Sequence, residues 1–328
     1  MSTEKIYQRK TEIFAAPHPL KTAVLFLIFN RPYTTKQVFK AIRQAKPSRL
    51  YVAADGPRAD KSGEQEKCEQ VRQIATQVDW DCEVKTLFRD KNLGCRVGVS
   101  SAIDWFFENE EEGIILEDDC IPSQSFFWFC EELLDWYRGD MRVMVVSGDN
   151  FQKGAARNEF SYYFSRFNHC WGWASWRRAW SYYEKDMQSW PYIRDNDYMQ
   201  DLLSDKAAVK YWSKIFETAY RNKIDSWAYR WTFSCWIQNG LTVLPNVNLV
   251  SNIGFDGEAT HTKTVTKIAM LLALEITFPL KHPPTMIRDY VADRWTDLNV
   301  VRTSVPIAER ILRKIWTLAR RIIPLHRL

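Results

Sequence analysis

The chain has 328 residues and 38.7 kDa, enough for a full hydrophobic core, and its 46% hydrophobic and 26% charged residues are the proportions of a globular protein. Its net charge of +5 is concentrated, because residues 306–328 carry six cations against Glu309 alone; the balanced remainder argues against a basic nucleic-acid-binding body. Seven scattered cysteines without a C-x-x-C pair argue against a zinc site or a disulfide framework, and no apolar run reaches the roughly 18 residues of a membrane span.

Residues 1–21 form a polar leader without the apolar region of a secretion signal, so reduced thiols and a cytoplasmic location are expected. The run 23–29 (AVLFLIF) is apolar throughout, as in a strand buried on both faces of a parallel sheet. It stops at Asn30-Arg31-Pro32. A helix should follow, with Thr34 or Thr35 as N-cap and Val38, Phe39 and Ile42 on one face. A second strand at 50–54 ends at Asp55-Gly56-Pro57-Arg58, a helix is expected over 62–78, and a third strand over 84–88. After the turn Asn92-Leu93-Gly94, a helix fits 97–107. The strand Ile114-Ile115-Leu116 then runs directly into Glu117-Asp118-Asp119.

Strands alternating with helix-length segments predict repeated βαβ units, and ligands of such sheets bind outside the carboxyl ends of the strands. Arg31, Asp55 and the triplet 117–119 should therefore share one edge. Three adjacent carboxylates repel one another, which favours a bound cation or ligand hydroxyls there; a solvated acidic turn is the alternative. Beyond the triplet, a helix is expected over 126–137, strands over 143–147, 162–166 and 241–244, and helices near 205–220 and 227–237, the last stopped by Asn239-Gly240. The aromatic tract 171–176 (WGWASW) follows the strand at 162–166, with a turn around Trp171 to Trp173, and residues 278–284 read as an irregular connector. Aromatics are unusually abundant, with 15 Trp, 14 Tyr and 18 Phe, which suits sugar recognition as well as a core.

The segments LFLIFNRP, VAADGPR, NLGCRVGVSSAIDWFF, GIILEDDC and WGWASW, in this order over about residues 22–261, resemble the GT-A glycosyltransferases of the N-acetylglucosaminyltransferase I type. The resemblance implies an α/β, Rossmann-like, mostly parallel sheet flanked by helices. It divides into a nucleotide-sugar-binding half at 22–150 and an acceptor half at 151–265, followed by a connector at 266–305. It also implies inverting transfer of a hexose or N-acetylhexosamine from a nucleotide diphosphate sugar, UDP-sugars being favoured, to a hydroxyl of a glycan or glycolipid, with Mn²⁺ or Mg²⁺. Carried over by position, Arg31 would lie by the diphosphate or nucleoside and Asp55 would hydrogen-bond the base. Glu117 and Asp118 would meet ribose and donor sugar, Asp119 would ligate the metal, Trp171 and Trp173 would flank the donor, and Asp225 would be the catalytic base. His261 resembles a late metal-binding histidine. Two departures stand out: the histidine that the family carries before the triplet falls at Gly94 or Cys95, and Ser226 follows Asp225 where a second acid is usual.

The residues themselves leave other roles open. Asp225 before Ser226-Trp227 also fits a helix N-cap, and His261 an exposed loop. A sugar-phosphate nucleotidyltransferase uses a similar sheet but carries a G-x-G-T-R loop where Asn30-Arg31-Pro32 stands; a non-enzymatic sugar-binding protein at a membrane surface is a third reading. Residues 306–328, wound at about 100° per residue, place isoleucines and leucines on one half and Arg310, Arg313, Lys314, Arg320 and Arg321 on the other, with Trp316 at the boundary. This C-terminal helix is expected either to lie on a membrane, at its inner face, or to dock on the domain.

Overall fold

The computed structural model describes residues 14–153, 155–255 and 271–302. In chain order the elements are β1 (Val24–Ile28), α1 (Pro32–Ala45), β2 (Arg49–Ala54), α2 (Glu64–Ala75), β3 (Glu83–Phe88), α3 (Gly94–Asn109), β4 (Glu112–Glu117), β5 (Cys120–Pro122), α4 (Gln124–Trp136) and β6 (Val143–Ser147). The second half holds β7 (Tyr162–Ser165), β8 (Trp173–Trp176), α5 (Arg177–Trp180), α6 (Trp190–Asp195), α7 (Met199–Leu202), α8 (Lys206–Tyr220), α9 (Ala228–Ile237), β9 (Leu241–Pro245), β10 (Val250–Asn252) and α10 (Tyr290–Thr296), the last continued by a π-helical turn, Asp297–Val301.

Eight strands form one sheet in the order β3-β2-β1-β4-β8-β6-β9-β7, and a two-stranded ribbon pairs β10 with β5. Pairing is parallel for β3-β2, β2-β1, β1-β4 and β6-β9, and antiparallel on both sides of β8 and for β7-β9, so only β7 and β8 run against the others. The fold is thus the expected α/β sheet, mostly parallel and flanked by helices. Central strands read as unbroken apolar runs because both faces are covered: every residue of β1 and β6 is buried. The edge strand β3 instead carries exposed Glu83 and partly exposed Lys85, charges that discourage pairing with another chain.

The acidic triplet ends β4 as the sequence predicts, and the turn at Trp171 leads into a strand that the sequence does not announce. Trp173–Trp176 is the reversed strand β8, paired with β4 through Ile115 and Trp173. The Trp173 ring stacks on Trp227 at 5.6 Å and lies 6.1 Å from Trp231, inside a cluster shared with Trp180. The expected N-cap of α1 is also different. Pro32 opens the helix after Arg31, and the Thr34 and Thr35 hydroxyls donate back to the Arg31 carbonyl at 3.2 and 2.8 Å. The stretch read as a connector is docked where it is described: Ile276 and Leu280 are buried, His282 stacks on Trp136 at 4.0 Å, and Asp293 of α10 accepts from Ser165 Oγ at 2.5 Å. All seven cysteines are free thiols. Among the described residues no helix is long and apolar enough to cross a membrane. His261 and residues 306–328 lie outside the described residues.

Candidate active site

A cleft of about 800 Å³ opens along the carboxyl ends of β1 to β4. It takes Arg31 from the end of β1, Asp55 from β2, Arg89 from β3 and Glu117, Asp118 and Asp119 from β4, which parallel pairing carries to one edge. The facing wall comes from residues 168–171 before β8, residues 224–229 entering α9, and Asn252, Gly254 and Phe255 at the end of β10 and just after it. Arg31, Asp55, the triplet, Trp171 and Asp225 all border this space. Trp173 does not: at 1% exposure it has no face to offer a donor, because strand alternation turns it into the tryptophan cluster.

The triplet is organised by one guanidinium. Arg31 Nη2 is bonded to Asp118 Oδ1 and Arg31 Nη1 donates to Asp119 Oδ2 at 3.0 Å. Burial opposes the Arg31 charge, but the two carboxylates outweigh it and raise its pKa. Burial pushes the Glu117 and Asp118 carboxyls up, repulsion from Asp119 adds to this, and Arg31 works against it. Asp118 Oδ2 is buried with no partner. One arginine among three carboxylates leaves an anionic excess, so the cluster suits a hard divalent cation held through one or two carboxylates, with ligand oxygens completing its shell. No group of three His, Cys, Asp or Glu forms a protein-only metal cage among the described residues. The loop after β10 rests on this cluster. Ile253 N donates to Asp119 O at 2.8 Å, and a Cβ on Gly254 would fall 2.0 Å from Asp119 Oδ2, so any larger residue there would displace the Asp119 and Arg31 side chains.

Asp55 and Asp225 meet at a place the sequence did not suggest, the N-terminus of α3. That helix has no side-chain cap of its own. Asp55 accepts from Leu93 N at 2.9 Å, Gly94 N at 3.1 Å, Asn92 Nδ2 at 3.0 Å and its neighbour Gly56 N at 2.9 Å. Asp225 Oδ2 accepts from Cys95 N and Oδ1 from Arg96 N, both at 2.9 Å. Two carboxylates from distant parts of the chain thus satisfy the first free amides of α3 and complement its dipole. Gly94, at φ +78°, is needed because a side chain there would strike Asp225 Oδ2. Asp55 is therefore largely committed to protein donors, its roughly four lone-pair sites being taken. The capping alternative for Asp225 is realised, though toward α3 rather than its own helix.

Two further residues escaped the sequence reading. Arg230 is fully buried, and its guanidinium donates to the carbonyls of Lys185, Ser226 and Ala219 and to Asn222 Oδ1 at 2.5 to 2.9 Å, fixing the loop that carries Asp225. Its neighbours in the tract AYRWTF gave no hint of this. His169 borders the cleft between Asn168 and Cys170, and burial pulls its pKa down to about 3.

No family model and no curated protein matches the chain. Solved structures similar to parts of it include HddC from Yersinia pseudotuberculosis, with 8% identity and a TM-score of 0.30 over 50% of this chain and 81% of that one. The 4-diphosphocytidyl-2C-methyl-D-erythritol synthase of Anaerococcus prevotii gives 8% and 0.31 over 50% and 76%. A UDP-glucose pyrophosphorylase complexed with UDP-glucose gives 7% and 0.25 over 44% and 62%. At these TM-scores the likeness carries no argument about the site, and the functional reading rests on the cleft itself.

Proposed function

We propose that the chain is an inverting glycosyltransferase that moves a sugar from a nucleotide diphosphate sugar to an acceptor hydroxyl. The observation that carries this is the meeting of Arg31 and the Glu117-Asp118-Asp119 triplet at adjacent strand ends, in a cleft roomy enough for a nucleotide sugar, with Asp225 on the facing wall. The motifs resembling the N-acetylglucosaminyltransferase I type fall on these same elements.

In this reading the acceptor oxygen attacks the anomeric carbon as the bond from that carbon to the phosphate oxygen breaks. Asp225 takes the acceptor proton, and the nucleoside diphosphate leaves with the electron pair. Arg31 stands by the departing diphosphate, and Glu117 and Asp118 orient donor hydroxyls. Mn²⁺ or Mg²⁺, held by Asp119, would neutralise charge on the leaving diphosphate. The acceptor is a glycan or glycolipid. Residues 306–328 would hold the enzyme at the anionic inner face of a membrane, where a lipid-linked acceptor is presented.

Arg89 also borders the nucleotide end of the cleft, a further cation that would suit a nucleoside triphosphate and favours sugar-phosphate nucleotidyl transfer as the second reading, whereas Arg58 beside it is paired with Glu64. Products separate the two. A panel of nucleotide sugars with Mn²⁺ should release nucleoside diphosphate, whereas nucleoside triphosphates with sugar 1-phosphates should not release pyrophosphate. The opposite result would select the second reading. Asp119→Ala should abolish Mn²⁺-dependent nucleotide-sugar binding with little change in thermal unfolding, and unchanged binding by calorimetry would remove the triplet from the site.

A further inference from the structure

One cation on the cleft wall has its backbone tied down and its donors left over. Arg89 directly follows β3; its amide donates to Ala54 O at 3.0 Å, and its carbonyl accepts from Arg72 Nη2 of α2 at 2.6 Å. The residue is partly exposed and borders the cleft. Among the described residues no carboxylate forms an ion pair with it, and its charge acts on Asp55 without a bond. Its side chain makes one long hydrogen bond, from Nη2 to Ser101 Oγ at 3.4 Å. The other arginines of this region are engaged: Arg31 with Asp119, Arg58 with Glu64, and Arg72 with the Arg89 carbonyl. A planar fork of N–H donors is thus anchored at one point of the cleft with a single weak partner.

Position decides what such a fork meets. Arg31 is bonded to Asp118 and Asp119 at the end of β4, so a diphosphate and its cation belong on that side. Arg89 stands at the other side, beyond β2, and two strand spacings of about 4.8 Å put the end of β3 about 10 Å from the end of β1. One further phosphate on a chain does not span that gap, whereas a ribose and a base do. Leu27, Ala53, Leu87, Val99 and Ala102, from β1, β2, β3 and α3, give this part of the cleft an apolar lining, which suits a flat base and not a phosphate. Acceptors in the same corner are already in use. Asp55 takes up the donors around the start of α3, Gly56 O accepts from Asn92 Nδ2 at 2.9 Å, and Arg72 Nη2 reaches the carbonyls of Asp55 and Arg89. An amino group on the edge of a base would go unpaired there, while a keto oxygen meets the guanidinium.

Resting on the nucleotide-sugar reading, we propose that Arg89 donates to a keto oxygen of the donor's nucleobase, so that the cleft selects uracil or guanine against cytosine or adenine.

The test is calorimetry on the full chain with Mn²⁺, using the mono- and diphosphates of uridine, cytidine, guanosine and adenosine. In the wild type UDP should bind about tenfold more tightly than CDP, or GDP than ADP, the margin of one charge-assisted hydrogen bond. Arg89→Met keeps the stem and removes the donors. The keto nucleotide should lose about tenfold, equally as mono- and diphosphate, while the amino nucleotide stays within about twofold and, with thermal unfolding, reports an intact fold. Arg89→Gln, as uncharged as Met but with an amide donor, should recover part of the keto affinity. No base preference in the wild type would overturn the proposal, as would unchanged keto affinity in Arg89→Met. A loss shared by keto and amino nucleotides would also overturn it; growth of that loss from mono- to diphosphate would place Arg89 on phosphate, as nucleotidyl transfer requires. If no nucleotide binds the wild type, the nucleotide-sugar reading fails first.

Discussion

Asp225 serves two demands with one carboxylate. Each of its oxygens accepts an amide of α3, yet the residue is exposed on the cleft wall and each oxygen keeps a second lone pair. A cap contributes about 1 kcal/mol, so its loss alone cannot produce a large kinetic effect. If Asp225 is the base, Asp225→Asn should leave donor binding intact and lower the transfer rate by roughly 10² to 10⁴. A fall below about tenfold, measured at saturating donor and acceptor, would leave it a cap only. Arg230 acts one step behind it. Arg230→Lys removes the fork that reaches four acceptors, and each buried acceptor left bare costs about 1–3 kcal/mol. Thermal unfolding should fall by several degrees, and transfer should fall further than donor affinity, because the loop carrying Asp225 loosens while the triplet does not. Equal stability of the two proteins would show that the loop is held by other contacts.

At the scale of elements, local rules worked where the partner lies nearby in sequence and failed where it does not. The strands at 24–28, 49–54 and 112–117 were legible because burial on both faces demands apolar runs, and Asp205 caps α8 from the adjacent position. The starts of α3 and α4 were not legible. Asp225 and Asp55 serve the first, and Glu275 accepts from Gln124 N at 3.1 Å and Ser125 N at 2.7 Å for the second, across about 150 residues. No window of sequence contains such pairs. Strand β8 was hidden likewise, since WASW owes its extended form to pairing with β4 and β6. For the site, the triplet, Arg31 and Asp55 were readable as residues that follow buried strands, whereas the bonds from Asp55 to the start of α3 were not.

One inter-element tie has a pH signature. Glu217 of α8 accepts from Trp190 Nε1 of α6 at 2.7 Å and also from Arg194 and Arg221, and these bonds, Trp190 first, lower its pKa to about 2. The unfolded value is about 4.3, so the native state gives up this proton more readily. Its stabilisation is complete above about pH 4.3 and is lost as pH falls toward 2. Glu217→Gln should be less stable at neutral pH and show a shallower loss of stability across that acid window. Parallel curves for the two proteins in denaturant titrations at several pH values would remove Glu217 from the acid response.

At the scale of the molecule, charge and aromatic content are segregated. The tryptophans concentrate in residues 151–265, where Trp173, Trp180 and Trp231 pack together behind the cleft. Excess positive charge stands at 306–328. Removing that segment should abolish sedimentation with vesicles containing anionic lipid while leaving the thermal unfolding of the remainder unchanged. Retained sedimentation would assign the surface elsewhere, and a lowered unfolding temperature would favour docking on the domain.

The two-carboxylate cap on α3 also makes the amides of Cys95 and Arg96 a gauge of the cleft. They bind a carboxylate on the opposite wall, so they stay protected from hydrogen exchange only while the loop of residues 222–227 sits against the start of α3. Any ligand that draws Asp225 away must pass through a state in which those two protons exchange. Their protection factors thus read, at two backbone positions, how often the walls part.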